Sequence, residues 1–408
     1  MNSTNQKQHA LVPPHSSAGI NLGLLLGGLM VIGLLLKNSV LAAEADADKV
    51  VSSGAATFAV ETVADGYTVP WAMAFLSDSE AVVGEREAGQ LSRLNVVTGE
   101  KTIISGLPDM LRSKKISAGL HDIKLDENFA ENGWLYLAYT VGTEQANGLV
   151  VDRVTLVENS VTEAKRLFAA QPLLDSKWHF GGRLVLHDGY LYISVGDGYK
   201  HADSAQDLGT HLGKVMRVRQ DGSVPEDNPF ISTEGALPEI WSYGIRNPQG
   251  MALSPFTEEV WISEHGPQGG DEINIVRAGK NYGWPVITYG EEYGGGAIGE
   301  GITHQAGLEQ PVYYYRPSIA PSGLSFYSGG KFPGWRLSLF TGALALTHIN
   351  RLVLHKDQVI HEERLLDEGD MRVRFVQEGK DGLLYFGADD GKIRRLVPAE
   401  KPAKTETE

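Results

Sequence analysis

Cysteine is absent from the 408-residue sequence. That absence excludes disulfides, thiolate metal centres, a cysteine nucleophile and a lipid-modified cysteine anchor. A basic excess is missing too: 36 Lys and Arg stand against 51 Asp and Glu, a formal net charge of −15. A chain this acidic repels phosphate backbones and anionic headgroups, so neither nucleic acid nor an anionic membrane is an expected partner. No long amphipathic helix is found, which argues against an α/β enzyme.

The long apolar run in the chain, Ala18 to Leu36, lies near the start and is interrupted by Asn21. Lys7 precedes it, Lys37 follows, and SVLAAEADA then offers small residues for cleavage near Ala42 or Ala43. Residues 1–43 are therefore expected to be a signal peptide or, given the length of the run, an uncleaved N-terminal membrane anchor. Either reading makes the protein exported and periplasmic. Residues 44–397 are expected to form the folded domain, and 398–408 a disordered, solvated tail.

What is present is repetition. An apolar strand, a charged or Gly turn, a Tyr- and β-branched-rich strand and a closing Arg-bearing strand recur from Trp71, Gly119, Gly182, Gln249, Ser322 and Val373. LYLAYT, LYISVGD and LLYFGAD alternate with period 2 after Gly turns, which marks strands. A four-stranded propeller blade takes about 40–50 residues. Six units therefore predict an all-β, six-bladed β-propeller, with the extra length of units two to five in long loops over one face.

The polar residues of these loops carry the candidate chemistry. His179 precedes the first strand of the third unit and Asp197 ends its second strand. Antiparallel pairing brings the two together, so a carboxylate can orient an imidazole as a general base requires; a packed entry loop and a turn former are the structural alternative. In the fourth unit, YGIRNPQG and EHGPQGGDE place Arg246, Asn247, Gln249, the Gly266 and Pro267 carbonyls, Asp271 and Glu272 at strand ends. Oxygen-only donors suit Ca²⁺ and disfavour zinc or copper. Arg372 and Arg374, two apart on an extended stretch, face one way, and with Arg246 would hold carboxylates; salt bridges to Glu368, Asp370 or another blade are the alternative for that pair.

HFGGRLVL with VGD, LGTHLGKVMRV, DGSVPEDNPF, EIWSYGIRNPQG, EHGPQGGDEINIV, GKNYGWPVITYG, PSIAPSG and the late RVR, in this order from about Trp71 to Leu396, resemble the soluble aldose sugar dehydrogenases that use pyrroloquinoline quinone (PQQ). The resemblance implies a six-bladed propeller with PQQ and Ca²⁺ as cofactors, oxidising an aldose at C1 to its lactone and passing electrons to an unknown acceptor. It makes His179 the base that takes the anomeric hydroxyl proton while hydride passes to the quinone, and Asp197 its orienting carboxylate. Arg246 would stabilise charge on the quinone oxygens, Asn247 and Gln249 would contact the cofactor, and Arg372 and Arg374 would bind its carboxylates. Gly266 and Pro267 would ligate the Ca²⁺ at the cofactor, and Glu272 with the Tyr282 carbonyl a second, structural Ca²⁺.

The sequence also departs from that pattern. Where some relatives have a lysine, GALALTH has Ala345, and where relatives have a glutamine, SAGLHD has Ser117 and His121. Tyr313 to Arg316 fall where sugar contacts are expected. Ala345 and Ser117 motivate a second reading, a non-enzymatic carbohydrate- or protein-binding propeller without PQQ; a third, a Ca²⁺-dependent lactonase, fits the arginine trio poorly.

Overall fold

The computed structural model describes residues 50–401; the expected leader and the end of the tail lie outside the described residues. Six antiparallel sheets make six blades, and each unit start read from the sequence falls within two residues of the start of the first strand of one of them. Those inner strands are Pro70–Phe75, Leu120–Leu125, Leu184–His187, Pro248–Leu253, Pro321–Tyr327 and Val373–Glu378.

The ring is closed by a device the repeat pattern does not display. The sixth blade takes three strands from the end of the chain and is completed by Thr57–Ala64, which pairs with Ile393–Pro398, and then by Val51–Ser52. Ile393–Pro398 would otherwise be an open edge, and the early strand covers it. Pro398 thus belongs to a strand, and the Ala399 N–H donates to the Thr57 carbonyl at 3.0 Å.

Blade faces explain the strand composition. Along Tyr190–Val195, Leu191, Ile193 and Val195 pack into a cluster shared with blade two, while Tyr192 packs into one shared with blade four. Period-2 alternation thus sends apolar residues to both faces because each sheet is sandwiched between neighbours. The same arrangement joins blades five and six and blades six and one, so the apolar core runs around the ring.

Arg183 sits at the hub and is fully buried. Its guanidinium donates to the carbonyls of Gln249 (2.7 Å), Trp71 (3.1 Å) and His121 (3.2 Å), and it lies 3.7 Å from Asp122. One side chain of blade three therefore ties together the inner strands of blades one, two and four. Burial of a charge is tolerated here because carbonyls and a carboxylate compensate it.

Candidate active site

The loop before the third blade places His179 on the mouth formed by the starts of first strands and the ends of second strands. His179 adopts φ 63°, in the left-handed region. Its carbonyl lies so close to Gly196 that a Cβ there would meet it at 2.1 Å, and a Cβ on Gly181 would meet the Gly196 nitrogen at 2.8 Å. HFGG and VGD thus need their glycines to press the His179 loop against the end of Tyr190–Val195.

His179 Nδ1 is 2.7 Å from Asp197 Oδ1. Oδ1 also accepts the Tyr199 N–H at 2.8 Å, and Oδ2 accepts the Trp284 indole N–H at 2.9 Å. An ionised Asp197 fixes the proton on Nδ1 and leaves Nε2 with its lone pair. Burial, assisted by nearby Arg246 and opposed by Asp197, holds the His179 pKa below its ordinary value. Burial pushes Asp197 upward, but the hydrogen bond and charge of His179 outweigh it and the carboxyl titrates below the usual range. At neutral pH the pair is therefore a neutral imidazole on a carboxylate.

The dyad borders a cavity of about 330 Å³ lined by Trp71, Arg86, Asn247, Gln249, Arg372 and Arg374 among others. Arg374 Nη2 donates to Asp389 Oδ2 at 2.6 Å and Arg372 Nε to the same oxygen at 3.1 Å. The partner of this arginine pair is Asp389 of the ADDG turn, a residue the sequence reading did not single out. Leu344 holds Arg372 as well, through its carbonyl at 2.6 Å from Nη1. Ser117 and His121, the residues at the variant position, also line the cavity. His121 Nε2 is 2.7 Å from the Thr140 hydroxyl, and burial with Arg86 and Arg183 nearby lowers its pKa to about 3, so it stays neutral.

Two placements differ from expectation. Arg246 does not line this cavity with Arg372 and Arg374. Its Nη1 instead donates to the carbonyls of His265 (3.0 Å) and Gly266 (2.6 Å), because its chain is buried beside Trp284. It stays near the dyad through its own carbonyl, which accepts the Asp197 N–H at 2.8 Å. Tyr313 to Arg316 lie elsewhere, in a separate groove with Tyr289, Glu362 and Arg364. Tyr313–Tyr315 is the outermost strand of blade four, paired with Asp271–Ile275, and it lines that groove and not the His179 cavity. The aromatic residues beside His179 are Trp178, Tyr199 and Tyr293, all partly exposed. Tyr199 packs edge-on against His179 at 5.0 Å and against Trp178 at 4.9 Å.

The acidic pair separates in role. Asp271 is buried and accepts from the Gly266, Ile319 and Ala320 N–H groups and the Ser318 hydroxyl, so it ties loops together. Glu272 shares a small cavity with Glu264, Tyr282, Gly266 and Arg246. Asn274 Nδ2 donates to Glu264 and to Glu272 at 3.0 Å each, and its Oδ1 is buried without a partner. Burial, with Glu264 alongside, pushes the Glu272 pKa well above the carboxylate range. Two buried acids and carbonyl-bearing loops are a fitting donor set for a divalent cation. At Gly266 the carbonyl already accepts from Arg246 at 2.6 Å, so a cation there would use its second lone pair, beside a guanidinium. Among the described residues no three acid or His side chains converge.

A six-bladed propeller with a buried His–Asp pair beside an arginine-lined cavity sets a general base next to a site for an anion. The chain belongs to the glucose/sorbosone dehydrogenase family, whose model it matches over residues 67–395. It is 41% identical over 350 residues to the aldose sugar dehydrogenase YliI of Escherichia coli K12, an alignment covering 84% of this chain and 94% of that one. The apo-form structure of soluble aldose sugar dehydrogenase from Escherichia coli superposes with a TM-score of 0.79 at 39% identity, covering 84% of this chain and all of the other. The PQQ-bound aldose sugar dehydrogenase of Streptomyces coelicolor gives 0.67 at 25% identity, covering 84% and 98%.

Proposed function

We propose that the protein is a periplasmic, PQQ- and Ca²⁺-dependent aldose dehydrogenase that oxidises the sugar at C1 to the lactone. The observation that carries this reading is the His179–Asp197 bond of 2.7 Å at the edge of an arginine-lined cavity. The cavity suits PQQ, a flat tricarboxylate: it presents the Trp71 ring, the Asn247 and Gln249 amides and cationic groups in a protein that is otherwise acidic. PQQ, when bound, supplies the hydride acceptor, and Ca²⁺ polarises it.

The chain's own residues supply the rest. His179 Nε2 takes the proton of the anomeric hydroxyl, and Asp197 stabilises the imidazolium that forms. Arg246, beside the dyad, offers its charge to developing negative charge. Arg372 and Arg374 would hold carboxylates, the Gly266 and Pro267 carbonyls would serve the cofactor's Ca²⁺ from beside the His179 cavity, and Glu272 with the Tyr282 carbonyl would hold a second Ca²⁺ in the small cavity that Gly266 also borders. The rim of Trp178, Tyr199 and Tyr293 offers apolar faces to a pyranose, in place of Tyr313 to Arg316.

Reconstitution of purified protein with PQQ and Ca²⁺ is expected to give aldose-dependent dye reduction, and His179→Gln to abolish it with PQQ still bound. Bound PQQ without turnover on a broad aldose panel refutes the substrate assignment.

A further inference from the structure

We propose that Arg86 is the third cationic anchor for the carboxylates of the ligand in the His179 cavity, supplying the charge that Ala345 does not. The proposal rests on the PQQ reading above and adds a residue to it. Arg86 follows the second strand of blade one, Glu80–Glu85, in GEREAG, a stretch that reads as an ordinary charged turn. In the fold it lines the cavity together with Arg372 and Arg374, whereas Arg246 does not.

Its surroundings are those of a cation awaiting an anion. Arg86 is buried and lies 4.1 Å above the Trp71 ring, with Arg374 at 4.8 Å from the same ring. The acid within salt-bridge distance of Arg86 is Glu87 at 3.0 Å, a partly exposed neighbour, and Arg86 Nε is buried without a partner. Arg372 and Arg374 meanwhile share a single carboxylate, Asp389. Burial and the repulsion of Arg374 lower the Arg86 pKa to about 10. Packing alone does not require this arrangement, because Trp71 already has Arg374 and, at 5.6 Å, Arg183 around its ring. Two like charges beside one ring repel, and an anion between them removes the repulsion. Ala345 cannot provide that charge: its N–H is spent on the Ile319 carbonyl at 2.9 Å, and its side chain is a methyl.

The test is calorimetric titration of the full protein in Ca²⁺ buffer with PQQ and, separately, with benzene-1,3,5-tricarboxylate, which carries the carboxylates without the quinone. Loss of a charge-assisted hydrogen bond predicts that Arg86→Gln weakens both ligands about 10- to 100-fold, with partial recovery in Arg86→Lys. Wild-type affinity in Arg86→Gln for both ligands overturns the proposal and leaves the PQQ reading intact. No PQQ binding by the wild type, with tricarboxylate binding still dependent on Arg86, sinks the PQQ reading and keeps the anion anchor. Binding of neither ligand by the wild type overturns both. Should Arg86→Gln fail to fold, Glu87→Gln decides: freeing Arg86 from its acid is expected to tighten PQQ about threefold, and unchanged affinity counts against the anchor.

Discussion

Trp284→Phe probes whether Asp197 positions His179 or merely neighbours it. Asp197 Oδ1 is shared by His179 and the Tyr199 N–H, but Oδ2 has the Trp284 indole as its side-chain donor. Phenylalanine keeps an aromatic ring beside Ala205 and Ile298 and removes the N–H together with part of the indole, so the melting temperature is the control for lost packing. A hydrogen bond to a charged acceptor contributes about 1.5–3 kcal/mol. If half of that is felt in the transition state, kcat/KM falls about 3- to 10-fold. The pH profile carries the sign. With one donor fewer, the carboxylate interacts more strongly with an imidazolium, so the His179 pKa rises from its depressed value. The base is then protonated at higher pH, and the acid limb of kcat/KM moves upward. Initial rates of dye reduction at saturating PQQ, from about pH 5 to about pH 8, measure both effects. An unchanged rate and an unmoved acid limb, with an unaltered melting temperature, refute the positioning role.

The remaining predictions concern the hub and the buried acids. Arg183→Met strands the Gln249, Trp71 and His121 carbonyls and leaves Asp122 with Lys124, 3.8 Å away, as its cation; breaking a buried pair costs about 3–5 kcal/mol, which should lower the melting temperature by roughly 4–7 °C. A thermal melt within a degree or so of wild type would show that the hub carbonyls are satisfied otherwise. For Glu264 and Glu272, Ca²⁺ at about 100 times its Kd should stabilise the wild type by about 2.7 kcal/mol over the chelated protein. Glu272→Gln, which mimics the protonated acid that burial favours, should cost little stability in chelator and abolish that gain. A wild-type melt indifferent to Ca²⁺ removes the metal assignment at Glu272.

How much of this was legible in the sequence depends on how local each interaction is. The six blades were legible because alternation and Gly turns are written within each unit, and blade starts fall where period-2 strands begin. The His179–Asp197 pair was legible for the same reason, since adjacent antiparallel strands bring their flanking residues together. Arg86, Asp389 and Trp284 were not: GEREAG and ADDG look like solvated turns, and the indole reaches across blades to Asp197, 87 positions away. The run Tyr313 to Arg316, expected by resemblance among the sugar contacts, lies in a separate groove, because strand order puts Tyr313–Tyr315 on the outer edge of blade four.

Ring closure by Thr57–Ala64 belongs to the same category of long-range contact, and it bears on function. The strand it covers, Ile393–Pro398, pairs directly with Leu384–Ala388, which is followed by Asp389, the clamp on Arg372 and Arg374. Blade six is therefore anchored on its outer side by the first strands of the described chain and on its inner side by the cavity's arginines. Its inner strand, Val373–Glu378, meets the Arg183 hub at Arg374, whose carbonyl lies 3.5 Å from Arg183 Nη2. Glu85, next to Arg86, accepts the Thr68 N–H at 2.6 Å, four residues beyond Ala64 where the closing strand ends. Closure of the ring and placement of the guanidinium groups around Trp71 thus draw on one contiguous set of contacts, which links the strand that closes blade six to the cations of the cavity.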